Sequence, residues 1–170
     1  MSANISLNNI LIGQTASTWQ EAIQTAAAPL VTNKSITEEY IHQMIKSVDK
    51  LGPYIVLMPG FALAHASPGN FVLHTDISIA TFREPIDFHS ENGPVSVVMC
   101  LACTDRTSHI EQLQVIAEKL MESSSIDKIA ACKNKEELFD EIVNPIYYYL
   151  NLAIEKEEKE EGSALERFKA

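Results

Sequence analysis

Five histidines, His42, His65, His74, His89 and His109, are the side chains best suited to chemistry at neutral pH. An unperturbed imidazole titrates near pH ~6.5 and is nucleophilic when neutral. Two of the five stand out by position. His65 lies in Pro59-Gly60-Phe61-Ala62-Leu63-Ala64-His65-Ala66-Ser67-Pro68-Gly69, where small neighbours are expected to leave its ring unobstructed. A partner protein or a phosphate could approach the backbone closely there. His109 lies in Ser108-His109-Ile110-Glu111, which reads as a capping box at the start of a helix. Free N–H groups and the positive end of the helix dipole favour an anion at such a point. One imidazole as nucleophile and a second beside an anion site would suit phosphoryl transfer, which depends mainly on positioning and charge stabilisation. The competing reading is that each histidine is an ordinary packed or surface residue. Spacing alone does not bring His65 and His109 together.

Other candidates carry less. Cys100-Leu101-Ala102-Cys103 has C-x-x-C spacing, but it falls in an apolar run that reads as a strand. Residues three apart in a strand point to opposite faces and lie about 10 Å apart, too far for a disulfide or a shared metal. Both are expected to be core cysteines, and Cys132 a structural one. Asp87-Phe88-His89-Ser90-Glu91 reads as an exposed loop. No glycine-rich loop ends in lysine and no Gly-x-Ser-x-Gly elbow is present, so neither ATP binding nor serine hydrolysis has a motif. No cofactor and no metal are expected.

Several elements must position these histidines. Thr18-Trp19-Gln20-Glu21 is a capping box, and the helix behind it should reach about residue 32 unless Pro29 bends or ends it. Thr37 can cap a second helix with Ile41, Met44, Ile45 and Val48 on one face, stopped by Gly52-Pro53. Strands are expected over 54–58, 61–66, 77–82 and 95–103, the last covered on both faces. Residues 85–94 read mostly as loop. The helix carrying His109 should turn Ile110, Leu113, Ile116, Ala117 and Leu120 inward. Shorter helices are expected at 126–131 and at 135–143, the latter with Leu138, Ile142 and Val143 inward. Helices early, strands in the middle and helices late point to a mixed sheet with helices on its faces.

The chain has 170 residues, 46% of them hydrophobic, enough for one domain with a substantial core. Its net charge is −10, and most of that lies in the body rather than in the acidic run that starts at Glu155. Such acidity argues against nucleic acid and against anionic membrane surfaces. No stretch approaches the ~18 apolar residues of a membrane span, and no secretory signal is visible, so a reduced, cytoplasmic protein is expected.

Gly52-Pro53-Tyr54-Ile55-Val56-Leu57-Met58-Pro59-Gly60, followed by Ala62-Leu63-Ala64-His65, resembles the active-site segment of EIIA proteins of the sugar phosphotransferase system (PTS), in the mannitol/fructose-type superfamily. The Gly-Pro-Tyr opening and the Pro-Gly ahead of the histidine are closest to the ascorbate-specific branch. Phe82-Arg83-Glu84-Pro85-Ile86-Asp87-Phe88, Pro94-Val95 and the strand behind it agree. So do Asp105 to His109 ahead of Leu113 and Leu120, and Thr18-Trp19-Gln20-Glu21-Ala22. The resemblance covers about residues 5–143. It implies a three-layer α/β/α sandwich with a mixed sheet flanked by helices. It divides the chain into an EIIA domain over 1–143 and a helical extension with an acidic tail over 144–170. It further implies a phosphotransferase in which His65 accepts a phosphoryl group from HPr, normally on Nε2, and passes it to a cysteine of EIIB for uptake of an ascorbate-like carbohydrate through EIIC. His109 would contact the phosphoryl group, and neither metal nor cofactor would be needed. One departure is visible: many ascorbate-type members read Pro-His-Gly-Arg where this chain has Ala64-His65-Ala66-Ser67. Arginine and serine are not equivalent at a phosphate. Ser67 and Arg106 are the candidates to replace the lost cation. That change motivates an alternative, a regulatory binding module whose phosphorylation state controls a partner. A scaffold with incidental histidines is the third reading. The tyrosine-rich face of 144–170 is expected to pack on the body, with a second subunit in a homodimer as the alternative.

Overall fold

The computed structural model describes residues 5–120 and 125–142. The elements are numbered in chain order. The apolar run Val95–Ala102 forms β5, buried along nearly its whole length. It pairs antiparallel with β4 (Asp76–Ile86) and parallel with β3 (Gly60–Ala64). Outside these, β1 (Ile10–Gln14) pairs parallel with β4, and β2 (Val56–Met58) pairs antiparallel with β3. The result is one mixed five-stranded sheet in the order β1-β4-β5-β3-β2.

Strand alternation sends side chains to two separate cores. Val98, Cys100 and Ala102 of β5 face α1 (Trp19–Thr32) and α2 (Glu38–Leu51). Val97, Met99 and Leu101 face α3 (Arg106–Leu120), α4 (Ser125–Ala130) and a helical stretch at 135–142. The expected three-layer α/β/α sandwich with a mixed sheet is the fold. On the α1 side the facing residues are small: Ala62, Ala64, Ala80 and Ala102 meet Ala22, Ala26 and Ala27. Helix and sheet backbones therefore approach closely, and Ser78 Oγ donates to the Ala26 carbonyl at 2.5 Å.

Local chemistry accounts for most boundaries. Thr18 Oγ1 accepts from the Glu21 N–H at 3.2 Å, as the capping box requires. Glu21 reaches back to the Ser17 N–H at 3.0 Å rather than to that of Thr18. Pro29 falls in the last turn of α1, and the helix continues to Thr32. Thr37 sits at the N-cap of α2, but its hydroxyl makes no capping bond and is buried without a partner. Gly52, at φ +84°, ends that helix in a conformation that L side chains resist. Gly60, at φ +83°, opens β3, and a Cβ there would meet Ile126 at 3.2 Å.

The structure departs from the sequence pattern at several points. β1 has no clear signature, because Gly13 at φ +63° and Gln14 interrupt a short apolar run. β4 runs through Pro85 to Ile86, where a loop is expected. Its register with β5 shifts between Thr81 and Ile86, so exposed Arg83, Glu84 and Pro85 leave the ladder and the missing proline N–H costs nothing. Ile110 is 46% exposed and not inward, whereas Ile116 and Leu120 are buried as expected. Leu138 and Ile142 are buried too, while Val143 and the extension over 144–170 lie outside the described residues.

Asp76 ties three elements together at the edge of the sheet where the site lies. Its Oδ2 accepts from Ser35 Oγ at 2.6 Å and Asn33 Nδ2 at 3.1 Å, and its Oδ1 accepts from Asn9 Nδ2 at 3.0 Å. Asn9 is itself buried. Losing the carboxylate would leave the Ser35 hydroxyl without its acceptor and take one of the two bonds from each of the Asn9 and Asn33 amides. Asp76→Ala is expected to cost about 2–3 kcal/mol, read as a lower urea midpoint at unchanged m. A shift of a few tenths of a kcal/mol would mean that water replaces the carboxylate.

Candidate active site

The two histidines singled out by sequence meet because β3 and β5 run parallel, with Ala64 opposite Cys100. Parallel neighbours end at the same edge, and that is where α/β proteins place their sites. His65 is the first residue beyond β3. Beyond β5 the chain takes a short connection and turns into α3, which carries His109 one turn in. The two rings stand 5.6 Å apart, centroid to centroid, tilted by 46°. A third ring joins them. Tyr54 lies just ahead of β2, which is antiparallel to β3, so it reaches the same edge. It packs edge-on to His65 at 5.4 Å, and its hydroxyl donates to the His65 carbonyl at 3.2 Å.

The hydrogen bonds settle where the protons lie. His65 Nδ1 is 2.7 Å from the Leu63 carbonyl, which can only accept, so Nδ1 carries the proton and Nε2 keeps its lone pair. His109 Nδ1 is buried with no partner, which favours the tautomer protonated at Nε2. Burial pushes the His65 pKa below the ordinary histidine range, against the opposing pull of the Leu63 carbonyl. Burial also lowers that of His109, helped by the neighbouring His65. Both rings are thus held neutral at pH 7. Side by side they offer a nucleophilic nitrogen and an N–H donor, without fixed charge on either.

The start of α3 differs from the expected box at Ser108. Asp105 is the capping residue: its Oδ1 accepts the Ser108 N–H at 2.8 Å and its Oδ2 the Ser108 hydroxyl at 2.9 Å. Those bonds hold its carboxyl below the usual range. With Asp105 as the cap the helix starts at Arg106, ahead of the predicted point. His109 is therefore inside the helix, and its own N–H is already bonded to the Asp105 carbonyl at 3.1 Å. What it brings to the site is its imidazole.

The ring of His65 is also less open than its small neighbours suggest. Ala64 and Ala66 are buried, packed toward α1 and α2, so their size serves close packing. His65 is half-buried between Tyr54 and His109. Ser67 and Arg106 are exposed, and neither hydrogen-bonds the His65 ring. Sequence reasoning missed Tyr40, which is buried against the same loop: its hydroxyl accepts from the Ala66 N–H at 3.1 Å and lies 2.8 Å from the Leu101 carbonyl. Tyr40 falls on the apolar face of α2 beside Ile41 and Met44, so in the sequence it reads as one more core residue.

The remaining candidates do not join the site. His42 and His74 are exposed. His89, at φ +57°, pairs with Asp87 at 3.3 Å on the surface, while Phe88 between them is buried against Trp19. Cys100 and Cys103 are buried free thiols in opposite cores, pushed up by burial to about 12 and about 11. Among the described residues no group of three or more His, Cys, Asp or Glu is placed to hold a metal ion, and no helix is long and apolar enough to cross a membrane.

A sheet of this topology with paired imidazoles beyond its parallel carboxyl ends defines a class of proteins, and comparison with known proteins specifies it. The family model described as "Phosphoenolpyruvate-dependent sugar phosphotransferase system, EIIA 2" matches residues 4–144, and the chain belongs to this family. It is 31% identical over 135 residues to an ascorbate-specific PTS system EIIA component from Salmonella choleraesuis (strain SC-B67), covering 78% of this chain and 88% of that relative. A crystal structure assigned as a PTS IIA domain from Streptococcus pyogenes M1 GAS is 34% identical with a TM-score of 0.74, over 81% of this chain and 90% of that one. The complex of enzyme IIAMTL and phosphorylated enzyme IIBMTL from Escherichia coli shares the fold at 24% identity and a TM-score of 0.71, over 83% of this chain and 98% of that one.

Lowered histidine pKa values have a consequence for stability. An unfolded chain takes up protons at about pH 6.5, before the folded one does, so folding weakens as pH falls through that range. Urea unfolding between about pH 7 and about pH 5 should show stability dropping, and a His65→Gln/His109→Gln double variant should drop less. Equal slopes for the two proteins would rule out this contribution from the pair.

Proposed function

We propose that the chain is the phosphoryl-carrier EIIA component of a sugar PTS, working in the cytoplasm with residues 1–143 as its carrier domain. The observation that carries this reading is the His65 Nδ1–H bond to the Leu63 carbonyl, which leaves Nε2 free beside His109. In the first step the Nε2 lone pair attacks the phosphorus of phospho-HPr. An N–P bond forms, the donor's N–P bond breaks, and the electron pair returns to the donor imidazole. The proton stays on Nδ1, donated to the Leu63 carbonyl, throughout. His109 donates its N–H to a phosphoryl oxygen as charge redistributes. In the second step a cysteine thiolate of EIIB attacks the same phosphorus, the S–P bond forms, and Nε2 recovers its lone pair. The neighbouring complex of a IIA enzyme with a phosphorylated IIB enzyme supports EIIB as the partner. The ascorbate-specific relatives support an ascorbate-like carbohydrate as cargo.

Incubation with phosphoenolpyruvate, Enzyme I and HPr, read by intact mass, tests this. One acid-labile phosphate is expected on the wild type and none on His65→Ala. Phosphate on His65→Ala would overturn the assignment. No uptake by folded wild type would favour the regulatory module, for which the missing arginine is the motive. His109→Ala is expected to accept phosphate at least about tenfold more slowly, in line with loss of one well-placed donor. An unchanged rate would remove His109 from the mechanism.

A further inference from the structure

Tyr40 is nearly fully buried, yet its hydroxyl is the meeting point of three elements. It stands on α2, and its oxygen accepts the Ala66 N–H at 3.1 Å, one residue beyond His65. At 2.8 Å it faces the Leu101 carbonyl, near the end of the strand that leads into the helix of His109. The Ala66 carbonyl is farther, at 3.4 Å, so the hydroxyl proton goes to Leu101. We propose that Tyr40 is a positioning residue for phosphoryl transfer, its hydroxyl cross-linking the loop after β3 to the end of β5 and so setting the spacing between His65 and His109.

Three points support the assignment. First, no ladder bond holds Ala66, because β3 ends at Ala64 and its pairing with β5 stops opposite Cys100. Second, one hydroxyl serves the loop and the strand at once, as acceptor from Ala66 and donor to Leu101, so neither can shift against the other without losing a bond. Third, burial holds the phenol protonated far above its ordinary range, so the donor is present at any working pH. Tyr54 restrains the same loop through the His65 carbonyl from the exposed side. Tyr40 is the buried half of that restraint, and the only one of the two that reaches β5.

The role rests on the carrier reading, but its test separates the two. Tyr40→Phe keeps the ring and deletes the hydroxyl. At saturating phospho-HPr its transfer rate should fall at least about tenfold, since about 1 Å of misplacement can cost up to about a hundredfold. The KM for the donor should stay within about twofold, because the docking surface is untouched. In imidazole NMR of the unphosphorylated protein, the His109 titration should move up toward the ordinary range as His65 draws away. Ile41→Ala, in the same helix and core, controls for lost stability. A wild-type rate and His109 titration in Tyr40→Phe, or an equal rate loss in Ile41→Ala, would overturn the role. If Tyr40→Phe does not fold, amide exchange in the wild type decides: a protected Ala66 N–H supports the bond and a freely exchanging one refutes it. If the wild type takes no phosphate, the carrier reading fails, and the His109 titration still reports on the spacing.

Discussion

Parallel pairing between β3 and β5 is the constraint on which the site depends, because it brings two carboxyl ends to one edge of the sheet. One end delivers His65 directly and the other delivers His109 through the start of α3. The antiparallel partners on either side contribute their opposite ends to that edge. β2 supplies Tyr54, and β4 supplies Thr75, whose hydroxyl accepts the Thr104 N–H at 3.1 Å and steadies the connection into α3. The register that places these groups is enforced by the cores. A slip of one residue in β3 would exchange Phe61 and Leu63, which face α3 and α4, with Ala62 and Ala64, which face α1. Large side chains would then meet the closely approaching α1 backbone, and the register is thereby held.

The electrostatics of the site are those of a neutral pair in an acidic chain. Burial disfavours charge on both imidazoles, so each keeps a nitrogen lone pair at neutral pH. The start of α3 adds little positive potential, since the Asp105 carboxylate caps it. No arginine closely follows His65. On the carrier reading this weak electrostatic grip has a use. A group that must leave again is best held by donors that act in the transition state, because a deeper well for the phosphorylated form would slow its release. Imidazole N–H groups and fixed loop geometry meet that need with less ground-state stabilisation than a guanidinium would give.

Most of the scaffold was legible because it rests on local signals. The Thr18 capping box, the apolar face of α2 stopped by Gly52-Pro53, and the long apolar run of β5 each carry their own periodicity or terminator. The misreadings share a cause: two local signals competed, and tertiary contacts chose between them. Asp105 and Ser108 are both acceptable caps, and the chain uses Asp105 with Ser108 as its ligand. Pro85 reads as a strand breaker, yet β4 passes through it where the ladder to β5 has lapsed. Ile110 fits the inward face by spacing, but the buried face of α3 runs through Gln112, Ile116 and Leu120, and Ile110 lies to one side of it.

By itself the sequence singled out the candidate histidines, the acidic character of the chain and most of the succession of helices and strands. Those follow from side-chain chemistry and from periodicities that span only a few residues. Only the tertiary structure decided that His65 and His109 meet, and that the proton on His65 sits at Nδ1. Proximity across 44 positions of chain depends on strand order, and a tautomer depends on which carbonyl lies opposite the ring. The same holds for Tyr40. Among its apolar neighbours it is one more buried aromatic, until folding places the Ala66 amide and the Leu101 carbonyl around its hydroxyl.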